Sequence, residues 1–161
     1  MTTEEYNSCV DFHADNLYRF ILKNIKDADE AKDIVQDTYE KLWLKKEEVS
    51  AEKAKSYMFT AAYHTMIDKV RKNSRRSDFS EVDFNNHSHS RQYSDLKEVL
   101  NKAFDILPDI QKSVVLLRDY EGYSYEEIGE ITGLNESQVK VYIYRARVAL
   151  KSYIGSMEKV I

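Results

Sequence analysis

Lys140, Tyr144, Arg145, Arg147 and Lys151 crowd one segment near the end of the chain, and Lys69, Arg71, Lys72, Arg75 and Arg76 form a second basic cluster near its middle. Ammonium and guanidinium groups at this density suit the phosphate and base-edge oxygens of nucleic acid. A third group has the opposite character. Asp33, Gln36, Asp37 and Glu40 recur at spacings of three and four, so on a helix they share one side and present an acidic, amide-bearing ridge. By itself such a ridge reads as a solvated helix face, the alternative being a surface for a basic protein partner. No glycine-rich phosphate loop, nucleophile elbow or paired acid and base is present, so an enzyme is not expected. His87 and His89 have no cysteine or carboxylate at ligand spacing, so neither a metal nor a cofactor is expected. Cys9 is alone, excludes an intramolecular disulfide, and reads as a packed thiol.

The elements that must carry the C-terminal cations are unusually well marked. Ser124 and Glu127 have the spacing of a capping box, in which hydroxyl and carboxylate each satisfy a backbone N–H left free at a helix start. Ile128 and Ile131 give that helix an apolar face, and Gly133 offers the positive φ that ends it without steric cost. Asn135 and Gln138 repeat the capping pattern for a second helix. There Val139, Ile143, Ala146 and Leu150 recur at helical spacing while the basic residues fall elsewhere. Two capped helices joined by a tight glycine turn, the second of them basic, form the pattern of a DNA-binding helix-turn-helix.

Upstream, helical periodicity predicts helices over roughly 5–25, 29–46 and 52–75, packing through Phe12, Leu17, Phe20 and Ile21, through Ala31, Ile34, Val35, Thr38 and Leu42 with Trp43 as an anchor, and through Ala54, Tyr57, Met58, Ala61 and Thr65. Between Ser77 and Ser94 the pattern dissolves into a polar stretch rich in Asn and Ser, read as a flexible linker. Four glycines, one proline and no strand-like alternation complete an all-α expectation: two small helical domains, 1–76 and 95–161, joined by a linker over 77–94. The net charge of −4 is segregated, with acid concentrated in the first fifty residues and base in two patches, which favours DNA contacts combined with a basic protein partner over a nonspecific nucleic-acid coat. No long apolar run or charged leader stands out, so neither membrane insertion nor secretion is expected and a cytoplasmic location is.

Two distant segments carry a family resemblance. Asp29-Glu-Ala-Lys-Asp-Ile-Val-Gln-Asp-Thr-Tyr-Glu-Lys-Leu-Trp43, and Ala54 to Arg76 with its Asp68-x-x-Arg71 spacing and basic tail, together with the Ser124 to Arg147 frame, resemble bacterial RNA polymerase sigma factors of the extracytoplasmic-function (ECF) group. The resemblance runs from about Asp11 to Tyr153. It implies that the ridge of Asp33, Gln36, Asp37 and Glu40 binds core RNA polymerase. It also implies that Asp68, Arg71, Lys72, Arg75 and Arg76 serve the minus-ten promoter element, and that Lys140, Val141, Tyr144 and Arg145 face the minus-thirty-five major groove with Arg147 nearer the backbone. Tyr57, Phe59, Tyr63 and His64 offer planar surfaces beside the basic tail, suited to stacking unpaired bases; the alternative places Tyr57 and Tyr63 in the core. An anti-sigma partner is implied as well. Val141 and Tyr142 depart from the family's commoner small polar residue and arginine, which leaves promoter preference open. The rival readings are a stand-alone helix-turn-helix repressor or activator, and a helical scaffold or adaptor without DNA contact.

Overall fold

The structure, a computed structural model, describes residues 1–76 and 94–160, with the side chains of 73–76, 94–96 and 157–160 excluded. The expected linker, apart from Ser94, lies outside the described residues, as do His87 and His89. The order is α1 (Thr3–Ile25), α2 (Ala28–Leu44), a short 3-10 turn (Ala51–Lys53), α3 (Ala54–Arg76), α4 (Ser94–Asp105), α5 (Asp109–Val115) running into a π-helical turn (Leu116–Tyr120), α6 (Tyr125–Thr132) and α7 (Glu136–Val160). The described residues contain no strand.

Local chemistry explains the helix ends. Thr2 accepts from the Glu5 N–H at 3.0 Å while the Glu5 carboxylate accepts from the Thr2 N–H at 2.8 Å, a capping box that starts α1 slightly before the sequence expectation. Each such cap is worth about 1 kcal/mol. Asp27 caps α2 by accepting from the Glu30 N–H at 3.1 Å. Between these helices Lys26 takes the left-handed conformation, φ 58°, which costs a side-chain-bearing residue roughly 1–2 kcal/mol. Its amine ion-pairs with Asp105 at the end of α4.

Helices α1, α2 and α3 pack mutually around Leu17, Phe20, Ile21, Ile34, Leu42, Met58 and Phe59, while α5, α6 and α7 enclose Val114, Leu117, Ile128, Ile131, Val139 and Ile143. The two groups are not separate. Their buried residues form one apolar cluster, joined where α3 lies along α6 and α1 meets α5. Phe59 is central to the junction, with Phe20 at 5.5 Å on one side and Tyr123 at 5.6 Å, edge to face, on the other. Polar ties flank it. Lys55 donates to the Glu121 carbonyl at 3.2 Å, Ser113 donates to the Asn24 side chain at 2.8 Å, and Lys112 donates to the Asn24 carbonyl at 3.3 Å.

Two packing expectations need correction. Phe12 is 79% exposed, because Leu17, Phe20 and Ile21 define the buried side of α1 and Phe12 falls on the opposite one. Trp43 is 44% exposed: Leu42 takes the interior position at that level of α2, and the indole lies across the edge of Tyr6.

Candidate functional site

The helix-turn-helix forms as its caps dictate. Ser124 accepts from the Glu127 N–H at 3.1 Å and the Glu127 carboxylate accepts from the Ser124 N–H at 2.8 Å; Asn135 and Gln138 repeat the exchange at 2.8 and 3.0 Å. Between them Gly133 closes α6 with φ 83° and ψ 9°. Gly129 is the residue that sequence reasoning missed. A Cβ there would stand 2.7 Å from the Leu134 carbonyl oxygen, so only glycine lets the turn fold back this closely on α6. The signal was a glycine inside an eight-residue helix, which marks close backbone approach.

Helix α7 buries Val139, Ile143 and Ala146 against this frame and turns the rest outward. Lys140, Val141, Tyr144, Arg145 and Arg147 are all exposed, with Tyr144 reaching 70%. They are not equally free. Lys140 lies 3.5 Å from the Glu136 carboxylate and above the Tyr125 ring, whose neighbourhood Arg118 shares. Arg147 holds Asp119 through two guanidinium nitrogens, at 2.5 and 3.4 Å, tying α7 to the π-helical turn. Tyr142 instead packs half-buried against the core.

On α2, Asp33, Gln36 and Glu40 are exposed and Asp37 is half-buried, on the side opposite the stripe of Ala31, Ile34, Val35, Thr38 and Leu42. The ridge therefore faces outward. On α3, Asp68, Arg71 and Lys72 are exposed, while the side chains of Arg75 and Arg76 lie outside the described residues. Asp68 and Arg71 form no ion pair with each other. Of the four aromatic residues, Phe59 offers no surface here, and for Tyr57 and Tyr63 the core alternative is the one observed. Phe59 is fully buried between Phe20 and Tyr123, and Tyr63 is 6% exposed, on a helix that packs against α1 and α6. Burial, and secondarily the charge of Asp109, pushes the Tyr63 phenol above its ordinary pKa. Tyr57 packs half-buried against the core, and the His64 ring reaches across to α6, its Nε2 3.2 Å from the Ile131 carbonyl oxygen. A cavity of about 290 Å³, lined by Tyr63, His64, Ile67, Asp68, Arg71 and Thr132, opens beside that contact.

The junction carries displaced ionisable groups. Desolvation lowers the pKa of Lys112, which Asp109 partly restores, and raises that of Glu121 against the opposing charges of Lys55, Arg19 and Lys23. The Tyr123 phenol is pushed up first by burial and then by Glu121. Among the described residues no group of three or more His, Cys, Asp or Glu side chains is arranged to hold a metal ion, and no helix is long and apolar enough to cross a membrane.

The family model for Sigma-70 region 2 matches residues 9–76, and that for Sigma-70 region 4 matches residues 97–150. RNA polymerase sigma factor SigV of Bacillus subtilis is 34% identical over 142 residues, spanning 86% of this chain and 84% of its own length. The chain belongs to the ECF group of sigma-70 factors. ECF RNA polymerase sigma factor SigM of the same organism is 28% identical over 145 residues, covering 87% of this chain and 89% of that one. Among solved structures, the sigma factor RpoE in complex with the anti-sigma factor NepR, from Bartonella quintana, superposes with a TM-score of 0.82 at 25% identity, over 95% of this chain and 98% of that one. CnrH in complex with the cytosolic domain of CnrY shares the fold, with a TM-score of 0.66 at 18% identity, over 94% and 88%. This ECF factor is accordingly a promoter-recognising transcription initiation protein that works with core RNA polymerase, and the rival scaffold reading falls away.

Proposed function

We propose a division of labour within this sigma factor. Residues 1–76 form the unit that engages polymerase and the minus-ten element, 77–94 the linker, and 95–161 the unit that reads the minus-thirty-five element. Asp33, Gln36, Asp37 and Glu40 bind a basic surface of core polymerase. Asp68, Arg71, Lys72, Arg75 and Arg76 contact the minus-ten element, and Lys140, Val141, Tyr144 and Arg145 enter the minus-thirty-five major groove, with Arg147 beside the backbone. The observation that carries this reading is the pairing of two outward surfaces of opposite character on one fold: an acidic, amide-bearing ridge on α2, and the exposed basic side of a doubly capped helix-turn-helix. The protein directs catalysis by polymerase without performing it and acts in the cytoplasm. An anti-sigma protein holds it inactive, a role suggested by the likeness to RpoE, which was solved with NepR.

Transcription in vitro with core polymerase on genomic fragments, followed by start-site mapping, tests the reading. Start sites that depend on this chain and share an upstream and a downstream motif are expected. Strong, specific duplex binding by the chain alone, with no stimulation of core polymerase, would instead favour the stand-alone regulator.

A further inference from the structure

Val141 and Tyr144 are the apolar centre of a surface whose margins are charged. At about 100° per residue, the exposed side of α7 directly opposite Val139, Ile143 and Ala146 is occupied by Val141, Tyr144 and, two turns beyond Val141, Val148. Lys140 and Lys151 flank this stripe on one side and Arg145 on the other. Val141 is 43% exposed and Tyr144 70% exposed, whereas Lys140 and Arg147, cations on the neighbouring side, are held by Glu136 and Asp119.

A basic helix that only gripped phosphates would gain nothing from an apolar centre. Valine has no donor or acceptor on its side chain, so it cannot read a base edge by hydrogen bonding. The one apolar group that a base pair presents in the major groove is the C5 methyl of thymine. Val141 lies near the N-terminal end of α7, the part of a recognition helix that approaches base edges. Tyr144, one turn on, adds a ring that can cover a second methyl while its hydroxyl remains in water.

We propose that Val141 and Tyr144 are specificity-determining residues that recognise thymine in the upstream promoter element through its methyl group. The inference rests on the assignment of α7 to that element. It explains chemically why Val141 stands where the family's commoner residue is small and polar: apolar contact replaces a hydrogen-bonded one.

The test uses holoenzyme assembled from this chain and core polymerase. An upstream element is first selected from duplexes randomised in that region. Each thymine in it is then replaced by deoxyuridine, which keeps every hydrogen-bonding group and loses only the methyl. Affinity should fall about fourfold at one or two positions, the worth of one buried methyl group. That penalty should vanish in Val141→Ala or Tyr144→Ala holoenzyme, with circular dichroism unchanged, since coupling between a side chain and its partner group is what a double-mutant cycle isolates. Retained preference with no deoxyuridine penalty at any position overturns the inference while leaving promoter reading intact. So does a penalty that persists unchanged in both variants. If the substitutions instead weaken binding to core polymerase and leave DNA affinity alone, the stripe is a protein-docking surface and the inference is wrong. A holoenzyme with no upstream preference overturns the assignment of α7 and this inference with it.

Discussion

Nε2 of His64 lies 3.2 Å from the carbonyl oxygen of Ile131, which ties α3, the helix of Asp68 and Arg71, to the first helix of the helix-turn-helix. Lys55 reinforces the join by donating to the Glu121 carbonyl and lying 4.7 Å from the centre of the Tyr123 ring, which in turn meets Phe59. The helix of Asp68 and Arg71 and the first helix of the helix-turn-helix therefore share packing as well as a chain.

Charge reversal on the acidic ridge should disable polymerase binding without disturbing the fold. Asp33→Lys with Asp37→Lys is expected to weaken affinity for core polymerase at least tenfold while far-ultraviolet circular dichroism stays unchanged, because the ridge lies opposite the buried stripe of α2. Unaltered affinity in a titration against labelled core polymerase would remove these residues from the interface.

The basic tail of α3 should reveal itself through salt. Replacing Lys72, Arg75 and Arg76 by Ala is expected to lower the log-log salt slope of promoter binding by about 0.7–0.9 for each phosphate that is no longer neutralised. Permanganate footprinting should show impaired opening of duplex promoters. Normal opening with an unchanged slope would show that these cations do not touch the DNA.

Gly129→Ala should be far more damaging than an ordinary glycine-to-alanine change in a helix, which is stabilising by up to about 1 kcal/mol. The new Cβ meets a backbone oxygen at 2.7 Å, so the turn between α6 and α7 must shift. A loss of about 2 kcal/mol in urea unfolding is expected, together with weakened upstream-element binding. Unchanged stability would mean that the turn can open without penalty.

Glu121 gives a pH dependence of unusual sign. Desolvation raises its pKa in the folded protein above the ordinary 4.5, so folding favours the protonated form. Its contribution to stability is therefore intact below that value and is lost as pH rises through the folded pKa. Glu121→Gln should stabilise the protein at neutral pH and lose that advantage below about pH 4.5. Urea titrations of both proteins at pH 4 and pH 7 decide the matter: equal differences at the two pH values would show that the carboxyl ionises as freely when folded as when unfolded.

Sequence reasoning succeeded where the determinants are local. Ser124 with Glu127, Asn135 with Gln138, and Gly133 each act within a few residues, and the structure shows each in its expected role. The alternation of buried and exposed positions along α2 and α7 was legible for the same reason, since periodicity alone decides which side is apolar. Helical spacing left Tyr63 open between surface and core, and the full burial of Phe59 was not legible. Part of the cover of Phe59 is Tyr123, some sixty residues further along the chain, and no spacing within α3 announces a neighbour supplied from so far away. The partners of Lys26 and Arg147 were hidden for the same reason, because Asp105 and Asp119 reach them through tertiary structure alone.

The shared packing at Phe59 leaves a calorimetric signature. Any partner that parts α3 from α6 must bring water to the rings of Phe59 and Tyr123 and to the apolar residues around them. Hydrating apolar surface raises heat capacity by about 0.45 cal/K/mol for each Å². The heat-capacity change of such an association would therefore be less negative than its own buried surface dictates, and the shortfall would measure how much of the molecule's interior had been turned outward.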